Sequence, residues 1–247
     1  MTESASLNPD IILLNEISLN NGKIIKERGF ISFTNALGNN SGVAILIKNG
    51  LLFKQITLTD PRVLAIQLET NMGPIIISTA YIPPRDPLIP SIAINKLNKY
   101  NLPMLLIGDL NAHHMTFNNA VSSQSTDSRG RQLHSLMYNN NLYYLGPLFK
   151  TFITRSRKGK ADIIIANHHF SLFHHRISAG NQVGSDHIPI IFDIQVKPSK
   201  LLIPENSNIN SLDVVKYKEE LQQHNLESID NKNKNQIDIR TKEIFRS

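Results

Sequence analysis

Five apolar runs of this 247-residue chain end in, or are introduced by, polar residues of the kinds that carry chemistry. "DIILLNE" delivers Glu16, "IIISTAY" delivers Tyr81, and "MLLIGDLN" delivers Asp109 and Asn111. "KGKAD" opens a run with Asp162, and "GSDHIPI" opens another with Asp186 and His187. A hard divalent cation such as Mg²⁺ takes carboxylate oxygens and leaves its other positions to water and phosphate, and Glu16 is a ligand of that type. A histidine backed by an acid can donate a hydrogen bond to a phosphoryl oxygen while the acid fixes its tautomer, which His187 and Asp162 can do as a pair. Asp109 suits an acceptor that aligns and deprotonates the attacking water. The Asn111 amide, two residues on along an extended strand end, can hold that acid and the phosphate in register. The chemistry these residues can perform together is metal-assisted attack of water on a phosphate ester.

Each residue alone has a plainer explanation. A glutamate after a strand is often a loop charge or the start of a helix, and Asp and Asn after a glycine are common turn formers. A tyrosine at a strand end is usually a packed ring, and Asp162 beside Lys160 could be only a surface ion pair. The combination carries the argument. Adjacent His113 and His114 invite a zinc reading, but neighbouring side chains on an extended backbone point opposite ways and no other ligand cluster accompanies them.

These residues need rigid elements to hold them. Strands are expected at "DIILL" (10–14), "GVAILIK" (42–48), "RVLAIQLE" (62–69), "PIIISTAY" (74–81), "MLLI" (104–107), "ADIIIA" (161–166) and "IPIIFDIQV" (188–196). Several are apolar on both faces, as strands buried between layers are. Helical spacing occurs at 91–100 and 129–141. Strands outnumber helices, which argues against an alternating α/β barrel and for two packed sheets covered by helices. In layered α/β proteins chemistry collects where strands end.

Composition sets outer bounds. There is no cysteine, so disulfides and thiolate zinc sites are excluded. No apolar run reaches the roughly 18 residues of a membrane span, and "MTESASLNPD" lacks the apolar stretch of a secretory signal, so an intracellular protein is expected. The net charge is +6. From Pro198 onward eight basic and eight acidic residues cancel, so the whole excess lies on residues 1–197 and favours a polyanionic partner, nucleic acid first. After Val196, "KPSKLLIPENSNINS" reads as a linker, "LDVVKYKEELQQH" as one amphipathic helix and "NKNKNQ" as a solvated stretch.

In chain order, "PDIILLNE", "GVAILIK", "STAYIPP", "LLIGDLNAHH", "KADIII" and "GSDHIPI" resemble the endonuclease/exonuclease/phosphatase superfamily over about residues 9–195. "YIPP", "GDLNAHH" and "SRGRQLHSLM" are most similar to the apurinic-like endonuclease domain of non-LTR retrotransposons of the jockey type. The resemblance implies a four-layer α/β/β/α sandwich and a domain that nicks DNA with Mg²⁺, or Mn²⁺ in its place. It puts Glu16 on the metal, Tyr81 beside the scissile phosphate, Asp109 and Asn111 at the nucleophile and Asp162 behind His187. Asp186 would help hold the metal or its water. It also implies a DNA-contacting hairpin at "KTFITRSRKGKAD", where Arg155, Arg157, Lys158 and Lys160 would meet phosphates.

The family pattern starts with a strand ending in an asparagine near the metal, ahead of "PDIILL". Met1 stands about eight residues before Pro9, so the expectation is an endonuclease-like domain over residues 1–197 without its usual first strand. Residues 198–247 would be a linker and isolated helix leading toward a reverse transcriptase that this chain does not contain, and a working copy would act in the nucleus. Two other readings follow from the same residues: a phosphomonoesterase of the same superfamily, and an impaired retroelement remnant that only binds nucleic acid.

Overall fold

The computed structural model describes residues 8–18, 25–38, 41–117, 126–156, 158–182 and 184–201. The chain divides into two units, residues 1–201 and 202–247; the second, with the expected amphipathic helix, lies outside the described residues.

Chain order in the first unit begins with β1 (Ile11–Leu14), β2 (Phe30–Gly38), β3 (Ser41–Lys48), β4 (Phe53–Ile56), β5 (Val63–Leu68) and β6 (Ile75–Tyr81). Helix α1 (Ser91–Asn98), β7 (Met104–Asp109), α2 (Ser128–Asn139), β8 (Leu142–Gly146), β9 (Phe152–Ile153) and β10 (Lys158–Gly159) follow. The unit continues with β11 (Asp162–Asn167), a 3-10 turn, β12 (His175–Ala179) and β13 (Ile190–Ile194). Six strands form the central sheet in the order β4-β5-β6-β7-β11-β8. Its one parallel pair, β6 and β7, is joined by α1, because parallel neighbours need a crossover connection. A three-stranded sheet, β1-β3-β2, and the ribbon β12-β13 supply the other strands.

Two hydrophobic clusters fill the layers. Ala93, Ile94 and Leu97 of α1 and Leu133, Leu136 and Met137 of α2 pack with Ile76, Met104, Leu106, Ile163 and Ile165 on one face of the central sheet. On its other face, Ile66, Ile75, Tyr81, Leu105 and Ile164 meet Val43, Ile45 and Ile47 of β3, with Ile11 and Leu13 of β1 and Ile190 and Phe192 of β13 alongside. The fold is an α/β sandwich, and its described residues supply both sheet layers and one helical layer. Residues Val43 to Ile47 are at most 2% exposed, so β3 is covered on both faces, as its unbroken apolar run requires.

Six strands escaped the sequence pattern: β2, β4, β8, β9, its partner β10, and β12. Residues 198–201, which read as linker, extend the first unit. Leu52 N–H donates to Ser199 O at 2.9 Å, Ser199 N–H to Glu69 O at 2.8 Å and Leu201 N–H to Gly50 O at 2.8 Å.

Candidate active site

Strand register assembles the polar residues. Tyr81 pairs with Asp109 across the parallel β6–β7 ladder, and Asp162 pairs with Asp109 across the antiparallel β7–β11 ladder. Directly paired residues point to the same face, so Tyr81, Asp109 and Asp162 form one row across three strands, on the face that meets the second sheet. The glycine of "GDLN" is needed for this. A Cβ on Gly108 would run into the Ala80 carbonyl oxygen, so any side chain there forces β6 away from β7.

His187 reaches the row from the other direction. It pairs with Phe152 in an antiparallel bridge, next to Ile153 N–H donating to Asp186 O at 2.7 Å and Ile188 N–H donating to Thr151 O at 2.7 Å. The β9–β10 hairpin and the "SDH" loop are therefore one hydrogen-bonded unit. The Phe152 ring stands edge-on to the imidazole with centroids 5.3 Å apart. His187 Nδ1 lies 2.9 Å from Asp162 Oδ2, and Nε2 lies 4.0 Å from Asp109 Oδ2. Fully buried Thr151 sets the height of Asp162, since its Oγ1 accepts from the N–H groups of Ala161 and Asp162, each at 3.3 Å.

Glu16 arrives from the second sheet, just past β1, with φ of 53°. The Tyr81 hydroxyl lies near its carboxylate, whose charge, after burial, helps keep the hydroxyl protonated. Glu16, Asp109 and His187 offer ligand atoms that all lie within 4.8 Å of one another, the one such group among the described residues. Two carboxylates at a strand-end opening fit a hard divalent cation. Asp186 is exposed and stands outside that group, although its charge is felt at His187. Asn111 also departs from its expected extended geometry. With φ of 44° it closes a turn in which its N–H donates to Asp109 Oδ1 at 3.2 Å, and its side-chain NH₂ donates to Ile82 O at 3.1 Å rather than following Asp109 along a strand.

Burial, and after it the charge of Asp162, push the Asp109 carboxyl up to about 7, against the lowering effect of His187 and of the Asn111 N–H. The hydrogen bond that His187 makes to Asp162 raises the imidazole to about 9, with the charges of Asp162, Asp109 and Asp186 adding to it. Burial, followed by the Glu16 charge, keeps the Tyr81 hydroxyl protonated well past its ordinary range. An imidazolium donates protons and does not ligate a cation, so the two carboxylates are the metal-type donors and His187 is a proton donor aimed beside them.

The loop after Tyr81 is clamped by residues that no motif singled out. Arg62 donates from Nη2 to Asp60 at 2.7 Å and from Nη1 to Asp86 at 2.6 Å and to Leu88 O at 2.7 Å, while Tyr81 N–H donates to Arg62 O at 3.0 Å. Arg129 Nη1 donates to Pro83 O at 3.2 Å. Thr151 left no signal because its partners lie 10 or more residues away, and the Arg62 pair with nearby Asp60 reads in sequence as an ordinary turn ion pair, its reach to Asp86 and Leu88 being set only by the fold. The "HH" pair serves this scaffold. Asp127, the N-cap of α2, donates its N–H to the His113 carbonyl at 3.0 Å and accepts from His113 N–H at its side-chain Oδ1 at 3.2 Å, and a Cβ at Gly130 would strike the His113 carbonyl oxygen. The His114 ring stacks on His134 at 4.3 Å. Neither histidine belongs to the metal-capable group.

Of the basic residues, Arg155 and Lys158 are exposed on the hairpin and Lys160 is half-buried at its base, its amine pulled below the usual range by burial. No ion pair engages these three among the described residues. Arg157 lies outside the described residues. No described helix is long and apolar enough to cross a membrane.

Residues 75–191 match the family described as "Endonuclease-reverse transcriptase". The RNA-directed DNA polymerase of transposon X-element from Drosophila melanogaster, a probable assignment by its own name, is 29% identical over 197 residues, 75% of this chain and 21% of its own length. The RNA-directed DNA polymerase of mobile element jockey from Drosophila funebris is 22% identical, over 88% of this chain and 24% of its own. The chain thus spans about a quarter or less of the curated relatives it matches. The solved endonuclease domain of TRAS1, a telomere-specific non-LTR retrotransposon, superposes with a TM-score of 0.58 at 21% identity, covering 68% of this chain and 81% of that domain. Residues 75–191 are thus similar to the endonuclease–reverse transcriptase family, and the fold is similar to that of the TRAS1 endonuclease domain.

Proposed function

We propose that this chain nicks DNA by divalent-metal-assisted hydrolysis of one phosphodiester, as the endonuclease part of a retrotransposon polyprotein. The observation that carries the reading is the convergence of Asp109, Asp162 and His187 on Glu16, with an unpaired basic hairpin hydrogen-bonded to the loop that presents His187. Glu16 would hold the ion, Mg²⁺ or Mn²⁺, and Asp186 would help order its water shell. When bound, such an ion neutralises phosphate charge and makes water a better nucleophile near neutral pH.

The protein's own residues supply the rest. Asp109, buried and held near the operating pH, accepts a proton from the attacking water. His187, kept protonated by Asp162, donates from Nε2 to a phosphoryl oxygen and stabilises its developing charge. Tyr81, near Glu16, lies beside the phosphate, and Asn111 fixes the turn that aims Asp109. The water oxygen bonds to phosphorus as the P–O3′ bond breaks, and a solvent water protonates the leaving O3′, giving a 3′-hydroxyl and a 5′-phosphate. Arg155, Arg157, Lys158 and Lys160 add salt-dependent affinity for the backbone.

Residues 1–197 form the catalytic domain in this reading and 198–247 lead toward a reverse transcriptase of the full-length element, acting in the nucleus. Conversion of supercoiled plasmid to open circles with Mg²⁺ is the test. Nicking is expected from the parent chain and not from Asp109→Ala or His187→Ala. Nicking that survives both substitutions removes the mechanism, and phosphate release from inositol phosphates without nicking moves the substrate to small phosphomonoesters.

A further inference from the structure

Glu16 has an unusual backbone for a ligand-bearing residue. Its φ of 53° lies in the left-handed region that residues with a Cβ rarely adopt. If the chain ran on extended past β1, Asn15 and Glu16 would point to opposite faces, as successive strand residues do. The left-handed turn instead turns both toward β6. There they meet two side chains of one face of β6, spaced two residues apart. Fully buried Thr79 donates its hydroxyl to Asn15 Oδ1 at 2.9 Å, and the Tyr81 hydroxyl lies near Glu16. Beyond the turn, Ile17 N–H donates to Gly42 O at 3.1 Å and returns the chain to the edge of β3. The strained residue is thus held before and after it. Of these anchors, only the Asn15–Thr79 bond joins the two sheets without using a residue of the metal-capable group or the catalytic row.

We propose that Asn15 and Thr79 are a positioning pair that locks Glu16 in its left-handed turn and so sets the affinity of the site for a divalent cation. This inference rests on the metal-dependent reading above. Partners that orient ligands without touching the ion commonly tune affinity, by about 10-fold or more. Thr79→Val keeps the shape and removes the hydroxyl; Asn15→Ala removes the half-buried partner.

The test is Mn²⁺ titration of the full chain without DNA, followed by electron paramagnetic resonance of the free ion, with Glu16→Gln as the ligand-loss reference. Thr79→Val and Asn15→Ala are expected to weaken Mn²⁺ binding about 10-fold, and Thr79→Ser to return it close to the parent value. In nicking assays both weakened variants should need more Mn²⁺ for half-maximal rate and approach the parent rate at saturation. A role in general stability alone would lower the unfolding midpoint in EDTA and leave the Mn²⁺ affinity of the folded fraction intact. Parent-like Mn²⁺ affinity in both Thr79→Val and Asn15→Ala overturns the pairing. Mn²⁺ binding that Glu16→Gln leaves unchanged overturns the metal reading, and the positioning role with it.

Discussion

Strands β7 and β11 carry a buried polar cluster at each end, and the two clusters are built on opposite principles. At the end remote from Glu16, fully buried Asn167 accepts from Met104 N–H at 3.0 Å and donates to Asn98 Oδ1 at 3.2 Å and to Leu102 O at 2.8 Å. Asn98 in turn donates to Asn140 O at 3.0 Å, tying in the end of α2. Every group is neutral and Asn167 is fully matched. At the other end Asp109, only 3% exposed, receives one N–H from Asn111, faces Asp162, and has its cationic neighbour 4.0 Å away. A matched neutral network stabilises a fold. A buried acid left short of partners holds its proton too tightly, and such a group is suited to exchanging it.

The largest effect should come from substitutions that swap these roles. Asp109→Asn is expected to reduce nicking by about 10³-fold, while the metal-free protein unfolds no more easily than the parent, because a buried charge has gone. Asn167→Ala should do the reverse. It leaves Met104 N–H and Leu102 C=O without their partner and costs about 3 kcal/mol of stability, with nicking per folded molecule preserved. Chemical denaturation beside plasmid nicking measures both. Loss of nicking in a fully folded Asn167→Ala protein breaks the comparison.

Next in size is His187→Gln, expected to cost about 10²-fold in nicking rate. The glutamine should retain DNA affinity, since the phosphate contacts of the hairpin are untouched.

The pH dependence of stability sharpens the contrast. Asp109 titrates near 7 in the folded, metal-free site against about 3.9 unfolded. The folded state therefore binds this proton more tightly, and stability falls as pH rises from about 4 to 7. His187 at about 9 folded against about 6.5 unfolded contributes fully below 6.5 and loses that contribution as pH rises through 9. Denaturation midpoints in EDTA should decline across the whole range. Asp109→Asn should flatten the lower part, His187→Gln the upper part, and Asn167→Ala neither. An unchanged slope in both site variants contradicts the assigned environments.

The smallest effects belong to the hairpin and to the histidine pair. Lys158→Ala is expected to weaken DNA binding several-fold at low salt and to reduce the slope of log affinity against log salt by about 1. His114→Ala should leave Mn²⁺ affinity unchanged, since that ring stacks on His134. Fluorescence anisotropy at several salt concentrations and the Mn²⁺ titration measure these.

All seven expected strands are present: β3, β5, β6, β7 and β11 have neighbours on both sides, and β1 and β13 turn apolar side chains to the core. Strands β2, β4 and β8 were not legible, and each is a sheet edge. An edge strand meets solvent, so "FKQI" and "FISFTNALG" mix polar with apolar residues and lose the pattern. β12, in a two-stranded ribbon, is in the same position. For the site, residue types at strand ends were readable, because chemistry restricts which side chains can serve. Their partners were not readable: the charge step from Asp162 to His187 spans 25 residues, and the Thr79–Asn15 bond spans 64.

By itself, the sequence determined the apolar runs that must be buried, the carboxylates, amide and imidazole at their ends, and the basic segment between Lys150 and Asp162. Those follow from composition and local periodicity, which act over a few residues. Only the tertiary structure decided that Tyr81, Asp109 and Asp162 stand in one row, that Asp109 joins Glu16 in the metal-capable group while Asp186 stays outside it, and that Asn111 closes a turn. Register between strands sets those relations, and register is fixed by packing and long-range hydrogen bonds that no short stretch of chain contains.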